Sequence, residues 1–226
     1  MSQKSEMQEL PGVPLGEHTM MLFATPIVTY VWPDSDALNQ ALKDLILAAE
    51  KKEPGIAQSN VGGWHSENGF FGRDADCVRT LQDRVRRVAV EMTRTAIARP
   101  GRRFRAQYRV DGWANVMRSG NYHNVHNHPN NLWSGVYYVS AGEPEPERQQ
   151  NGQLELLDPR LAANMVGIPA SLFELRYTVS VKPGLMTVFP SWLSHLVHPF
   201  FGAGERISVA FNVLASGFRF LDDAPA

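Results

Sequence analysis

The sequence is short of cysteine, of net charge and of long apolar runs, and each shortage removes a class of function. Cys77 is the only cysteine among 226 residues, which excludes an internal disulfide framework and a thiolate-rich zinc cluster. Lys and Arg number 22 against 23 Asp and Glu, a formal charge of −1, so there is no excess of base for broad nucleic-acid binding. No apolar run approaches the ~18 residues of a membrane span, and the mixed polar start Met1–Glu6 is unlike a secretory signal. These absences predict a soluble, cytoplasmic protein that binds neither nucleic acid nor membrane. What is present is 43% hydrophobic and 10% aromatic residues, enough for a sizeable core. The length suits one domain over 1–226. We divide it into an extended arm at 1–17, a strand with supporting helices over 18–100, and a β-rich core over 101–216.

The spacing predicts two helices and then strands. Leu38, Ala41, Leu42, Leu45, Ile46 and Ala49 recur at helical period over about 36–52, with Ser35 suited to the N-cap and Asp36 to the first turn. Leu81, Val85, Val88, Ala89 and Met92 make a second stripe over about 74–98, ended by Pro100. Its charged residues, Asp83, Arg86, Arg87 and Arg94, read as a solvated face. After Gly101 come short β-type runs at 104–117, 122–126, 134–140, 153–157, 173–181, 185–189 and 206–214. That order predicts helices packed outside a sheet of an all-β sandwich or barrel.

Five of the seven histidines lie in two windows: His123, His126 and His128, then His195 and His198. On an extended segment residues i and i+2 share a face, so His126 and His128 can converge on one ion. Imidazoles with an ordinary pKa near ~6.5 are largely neutral at pH 7 and able to ligate. His195 is the natural third ligand, completing a facial set with open positions. Eleven residues later Arg206 opens a two-faced strand. Arg206, Ser208, Ala210 and Asn212 alternate with Ile207, Val209 and Phe211, so a guanidinium and a hydroxyl share one face, a pairing suited to a carboxylate.

These residues resemble a known family. Gly120-Asn-Tyr-His-Asn-Val-His126-Asn-His128, Gly135-Val-Tyr-Tyr138-Val and Gly184-Leu-Met-Thr-Val-Phe-Pro are similar to the Fe(II)/2-oxoglutarate-dependent oxygenases of the prolyl-hydroxylase branch, as are His195-Leu-Val-His-Pro199 and Gly204-Glu-Arg206-Ile-Ser208. The phrases His-Asn-His-Pro-Asn and Glu-Arg-Ile-Ser-Val-Ala-Phe-Asn resemble a bacterial subfamily within that group. The likeness is strong over about 104–214. It implies a mainly β (α+β) fold, a double-stranded β-helix (jelly-roll, cupin-like) barrel with two N-terminal helices packed on one sheet. It further implies Fe(II), 2-oxoglutarate and O2 as cofactor and cosubstrates, with oxidative decarboxylation of 2-oxoglutarate coupled to oxidation of a substrate. Arg206 would pair with the distal carboxylate, Ser208 and Tyr138 would hydrogen-bond it, and Asn115 and Asn212 are further contact candidates.

One departure matters. The superfamily usually has His-x-Asp or His-x-Glu, and here the second position is His128. Three neutral imidazoles leave Fe(II) its full formal charge of two, where a carboxylate ligand would halve it. Three-histidine sets occur in dioxygenases of the related cupin barrel that use no 2-oxoglutarate, so that chemistry is the alternative, with a non-enzymatic metal-binding barrel behind it. Asp158 or Glu155 could instead supply a carboxylate ligand.

The remaining candidates read as ordinary structure. His123 is expected to point away from the site, His198 to be structural, and Cys77 to be a small packed residue. Trp113, Trp133 and Trp192 read as core. Trp64 and His65 form either a lid or a packed loop. The stretch 142–152 reads as a polar insertion, and the loops at 53–73 and 158–172 shape an entrance. The substrate, small molecule or peptide, stays open, and a homodimer is the default oligomer.

Overall fold

The structure is a computed structural model that describes residues 23–97, 101–160 and 176–222. The expected arm at 1–17 and most of the loop at 158–172 lie outside those residues. Two helices, α1 (Asp36–Glu50) and α2 (Asp76–Ala96), stand where the apolar periods put them. One side of α1 buries Leu38, Leu42, Ile46 and Ala49 together with Asn39, which takes the place expected of the exposed Ala41. Asn39 is drawn inward because its Oδ1 accepts a 2.7 Å hydrogen bond from the Tyr137 hydroxyl. Ser35 sits at the N-cap position, but its hydroxyl donates to the Trp32 carbonyl at 2.8 Å and accepts from Arg84 at 2.9 Å instead of capping the helix.

The strands form two antiparallel sheets. The larger contains β1 (Val28–Val31), β3 (Trp64–His65), β4 (Phe104–Met117), β6 (Trp133–Pro144), β9 (Leu185–Pro190) and β11 (Gly202–Phe220). They lie in the order β1-β9-β6-β11-β4-β3. The smaller contains β2 (Asn60–Val61), β5 (Tyr122–His126), β7 (Leu154–Leu157), β8 (Arg176–Val179) and β10 (His195–Val197). Their order is β2-β5-β10-β7-β8. The mixed architecture matches the double-stranded β-helix type, with one correction: among the described residues neither sheet closes into a barrel, since β1, β3, β2 and β8 each pair on one side alone.

The alternation along β11 sorts its residues between two environments. Ile207, Val209, Phe211 and Val213 are buried in the main core with Leu42, Ile46, Val78, Leu81 and Val85 of the helices. Burying each such side chain contributes about 1.5–3 kcal/mol. The opposite face of the same sheet looks toward the smaller one, where Tyr138, Leu154, Leu156, Phe189 and Leu193 form a second cluster. Tyr137 and Tyr138 part company as period 2 requires, the first in the helix-side core and the second between the sheets. Trp64 and His65 are neither lid nor loop. They are buried as the edge strand β3, paired with Val116 and Asn115.

Candidate metal centre

The space between the sheets is polar at one end, and the topology brings the predicted residues there. On β10 His195 pairs directly with His126 of β5. His128 lies just past β5, its backbone N–H held by the Ser191 carbonyl at 2.9 Å. The three rings gather with centroids 4.3 Å (His126 to His195), 5.1 Å (His126 to His128) and 5.1 Å (His128 to His195) apart. One nitrogen from each lies within 4.8 Å of the others.

Backbone carbonyls set the tautomers. His126 Nδ1 donates to the Asn124 carbonyl at 2.7 Å, and His195 Nδ1 donates to the Leu193 carbonyl at 2.9 Å. Each bond leaves Nε2 as the lone-pair nitrogen facing the cluster, the arrangement by which outer hydrogen bonds orient metal-binding imidazoles. His128 Nε2 lies 3.3 Å from His195 Nε2, a separation that one ion can span with bonds of about 2.1 Å. Burial holds the rings neutral. It pushes His195 down to about 3 and His128 down to about 4, each with a smaller push from His126, and it lowers His126 as well. Three converging neutral imidazoles suit a divalent transition metal.

Beside this cluster lies a small inner chamber of about 50 Å3, lined by Tyr138, Asn115, Arg206 and Ser208 among others. Arg206 is 2% exposed. Its Nε donates to the Gly152 carbonyl at 2.8 Å, and a terminal nitrogen reaches Met117 Sδ at 3.3 Å. No carboxylate among the described residues meets it. Its guanidinium carbon stands 5.2 Å over the Tyr138 ring. Burial pushes the Tyr138 hydroxyl up to about 12, partly offset by Arg206. The Tyr138 hydroxyl and Asn115 Oδ1 are buried without hydrogen-bond partners. Buried polar atoms are rarely left so, and here two of them face one chamber. Asn212 stands apart. It lines an outer cavity, where its Oδ1 accepts from Ser134 at 2.7 Å.

His123 overturns its reading. It is buried and lines the inner chamber, with its Nδ1 3.3 Å from Ser59 Oγ. The cause is a bulge: His195 pairs with His126, whereas Val197 pairs with His123. Two steps along β10 thus match three along β5, and the extra residue turns His123 onto the face of His126. Its pKa is pushed down to about 3, first by burial and then by Arg206.

Trp113 is no ordinary core residue either, since it lines both chambers and stacks between His65 and His128, with centroids 5.5 Å and 5.4 Å away. Ser59 also lines both, and nothing in its sequence context marks it. Trp133 is core as expected, whereas Trp192 is 52% exposed.

The two carboxylates considered as ligands are engaged elsewhere. Glu155 is buried against His198 Nε2 at 2.9 Å and Arg176 at 3.3 Å, and Asp158 is held by Arg160 at 2.9 Å. The described residues group no carboxylate with the three histidines.

Comparison with known proteins agrees with this geometry. Residues 111–212 match the family model described as "Putative 2OG-Fe(II) oxygenase". A Pseudomonas putida prolyl-4-hydroxylase is 14% identical, with a TM-score of 0.60 over 83% of this chain and 91% of that one. HygX from Streptomyces hygroscopicus, solved with nickel and 2-oxoglutarate, is 12% identical, with a TM-score of 0.56 over 85% of this chain and 84% of that one. A Trichoplax adhaerens prolyl hydroxylase solved with a peptide fragment is 12% identical, with a TM-score of 0.55 over 83% of each chain. No protein of curated function matches the chain by sequence. No helix among the described residues is long and apolar enough to cross a membrane. Over residues 111–212 the chain is thus similar to the 2OG-Fe(II) oxygenase family model, and it shares the fold of these solved structures.

Proposed function

We propose that the protein is a non-haem iron oxygenase whose ion is held by His126, His128 and His195 and whose reactant carries a carboxylate gripped by Arg206. The observation behind it is the pair of adjacent sites: three neutral imidazoles within reach of one ion, and a buried guanidinium with no anionic partner among the described residues in the chamber beside them. Bound iron would supply the oxygen chemistry. The chain's own residues do the positioning. The Asn124 and Leu193 carbonyls hold two rings in register, Arg206 binds the carboxylate, and Tyr138, Ser208 and Asn115 offer it hydrogen bonds. The buried apolar wall of Phe189 and Leu154 keeps bulk water from the chamber.

The ligand set favours the three-histidine type of dioxygenase, which oxidises its substrate directly, because no carboxylate among the described residues joins the imidazoles. On that reading Arg206 anchors the substrate's own carboxylate. A second reading rests on the chamber itself: a buried Arg with a Tyr hydroxyl and a Ser beside it suits the distal carboxylate of 2-oxoglutarate as cosubstrate. Loading the protein with Fe(II) under anaerobic conditions and adding 2-oxoglutarate separates them. A new visible metal-to-ligand band, with succinate formed on admitting oxygen, supports the cosubstrate role. Oxygen uptake with a carboxylate-bearing thiol or diketone and no 2-oxoglutarate supports direct dioxygenation. A protein that binds no iron refutes both.

A further inference from the structure

Outside the metal centre the chain carries a second, larger cavity of about 330 Å3 that shares His126, His128, Trp113 and Ser59 with the inner chamber. It falls at the small end of ligand pockets, and the metal-binding rings form part of its wall, so a molecule there meets the ion. Its chemistry is unusual in one respect: five carboxamide side chains, Gln58, Asn68, Asn127, Asn131 and Asn212, line it, and no Asp, Glu, Lys or Arg among the described residues does.

Much of that hydrogen-bonding capacity is unspent. The side chains of Gln58, Asn68 and Asn127 make no hydrogen bond to another described residue. Asn131 spends one N–H on the Pro129 carbonyl at 3.2 Å. Asn212 uses its oxygen on Ser134 and keeps both N–H groups. His65 lines the same wall, and its Nδ1 donates to the Ser66 carbonyl at 2.6 Å, leaving Nε2 as an acceptor. Pro129 and Trp113 are the principal apolar groups, too few to hold an acyl chain.

A wall of uncharged donors and acceptors selects by what it cannot satisfy. Apart from the ion, its described lining offers no counter-charge to an ammonium group or a zwitterion, whose desolvation would then go uncompensated. A hydroxyl, donor and acceptor on one atom, meets carboxamide oxygen and nitrogen alike. We propose that the part of the reactant lying in this outer cavity is uncharged and hydroxyl-rich, a neutral sugar or cyclic polyol, while any carboxylate it carries is directed inward to Arg206. This rests on the metal-centre reading above and names the substrate class for that site.

The test uses the whole chain loaded with zinc, which holds the three histidines without turnover. Saturation-transfer NMR and competition then compare methyl glucoside, glucosamine and N-acetylglycinamide, with zinc content measured on the same sample. Methyl glucoside should bind at least fivefold more tightly than glucosamine and N-acetylglycinamide. The double variant Gln58→Glu/Asn68→Asp alters only exposed side chains and should reverse the order in favour of glucosamine. Zinc bound with no preference for the neutral sugar, tighter binding of glucosamine or of the amide, or an unchanged order in the double variant overturns the inference alone. Failure to hold one zinc per chain overturns the metal centre and the inference with it.

Discussion

Along one stretch of β11, neighbouring side chains meet opposite environments. Ile207, Val209 and Phe211 pack under the helices in a closed apolar core. Arg206, Ser208 and Ala210 line the chamber beside the histidines. Both faces are largely buried, but only the first is stabilised by what surrounds it. Among the described residues, the second buries a guanidinium without a carboxylate and faces a hydroxyl and a carboxamide oxygen without partners. Burying such groups costs free energy, so the chamber face is set up for a bound partner, while the helix-side face stabilises the fold.

Substitutions on the two faces should therefore separate stability from binding. Phe211→Ala empties a fully buried aromatic site and should cost about 3–5 kcal/mol by denaturant unfolding, while folded protein keeps one metal per chain. Acid sharpens the contrast. His123 and His195 sit near 3 and His128 near 4 in the folded protein, against about 6.5 unfolded. Between those values the unfolded chain binds more protons, so this stability is complete above about pH 6.5 and lost as pH falls toward the folded values. The melting temperature of metal-free protein should thus decline from about pH 6.5, before carboxylates titrate, and zinc-loaded protein should show the steeper decline.

Arg206→Met replaces an unpaired buried charge by an apolar side chain of similar length. It should change stability by less than about 1 kcal/mol, or raise it, yet abolish measurable binding of the carboxylate-bearing reactant by calorimetry. A large loss of stability would show that Arg206 is part of the scaffold. The smallest effect is expected at Trp192, which is half exposed. Trp192→Ser should stay within about 0.5 kcal/mol.

The same contrast explains what could be read in the sequence. The faces of β11 were legible because period 2 holds wherever a strand is regular; His126 and His128 converge as their i, i+2 spacing suggests, although His128 lies just past the end of β5. His123 was not legible, since a bulge between His123 and His126 changes the phase, and a bulge depends on the partner strand β10. The two-residue strand Trp64–His65 is too short for any period; β4 alongside defines it. Ser35 matched the capping rule, but Arg84 and the Trp32 carbonyl compete for its hydroxyl. Closure into a barrel came with the family resemblance, and the sheets remain open at their edges.

The central claim is that three imidazoles hold the ion without a protein carboxylate. A crystal structure of the Fe(II)-loaded protein grown without oxygen tests it most directly. The account predicts one ion bonded to Nε2 of His126 and His195 and to a ring nitrogen of His128, with Glu155 still paired to His198 and Asp158 to Arg160. An ion bonded to Asp158 or Glu155, with His128 turned away, would contradict it.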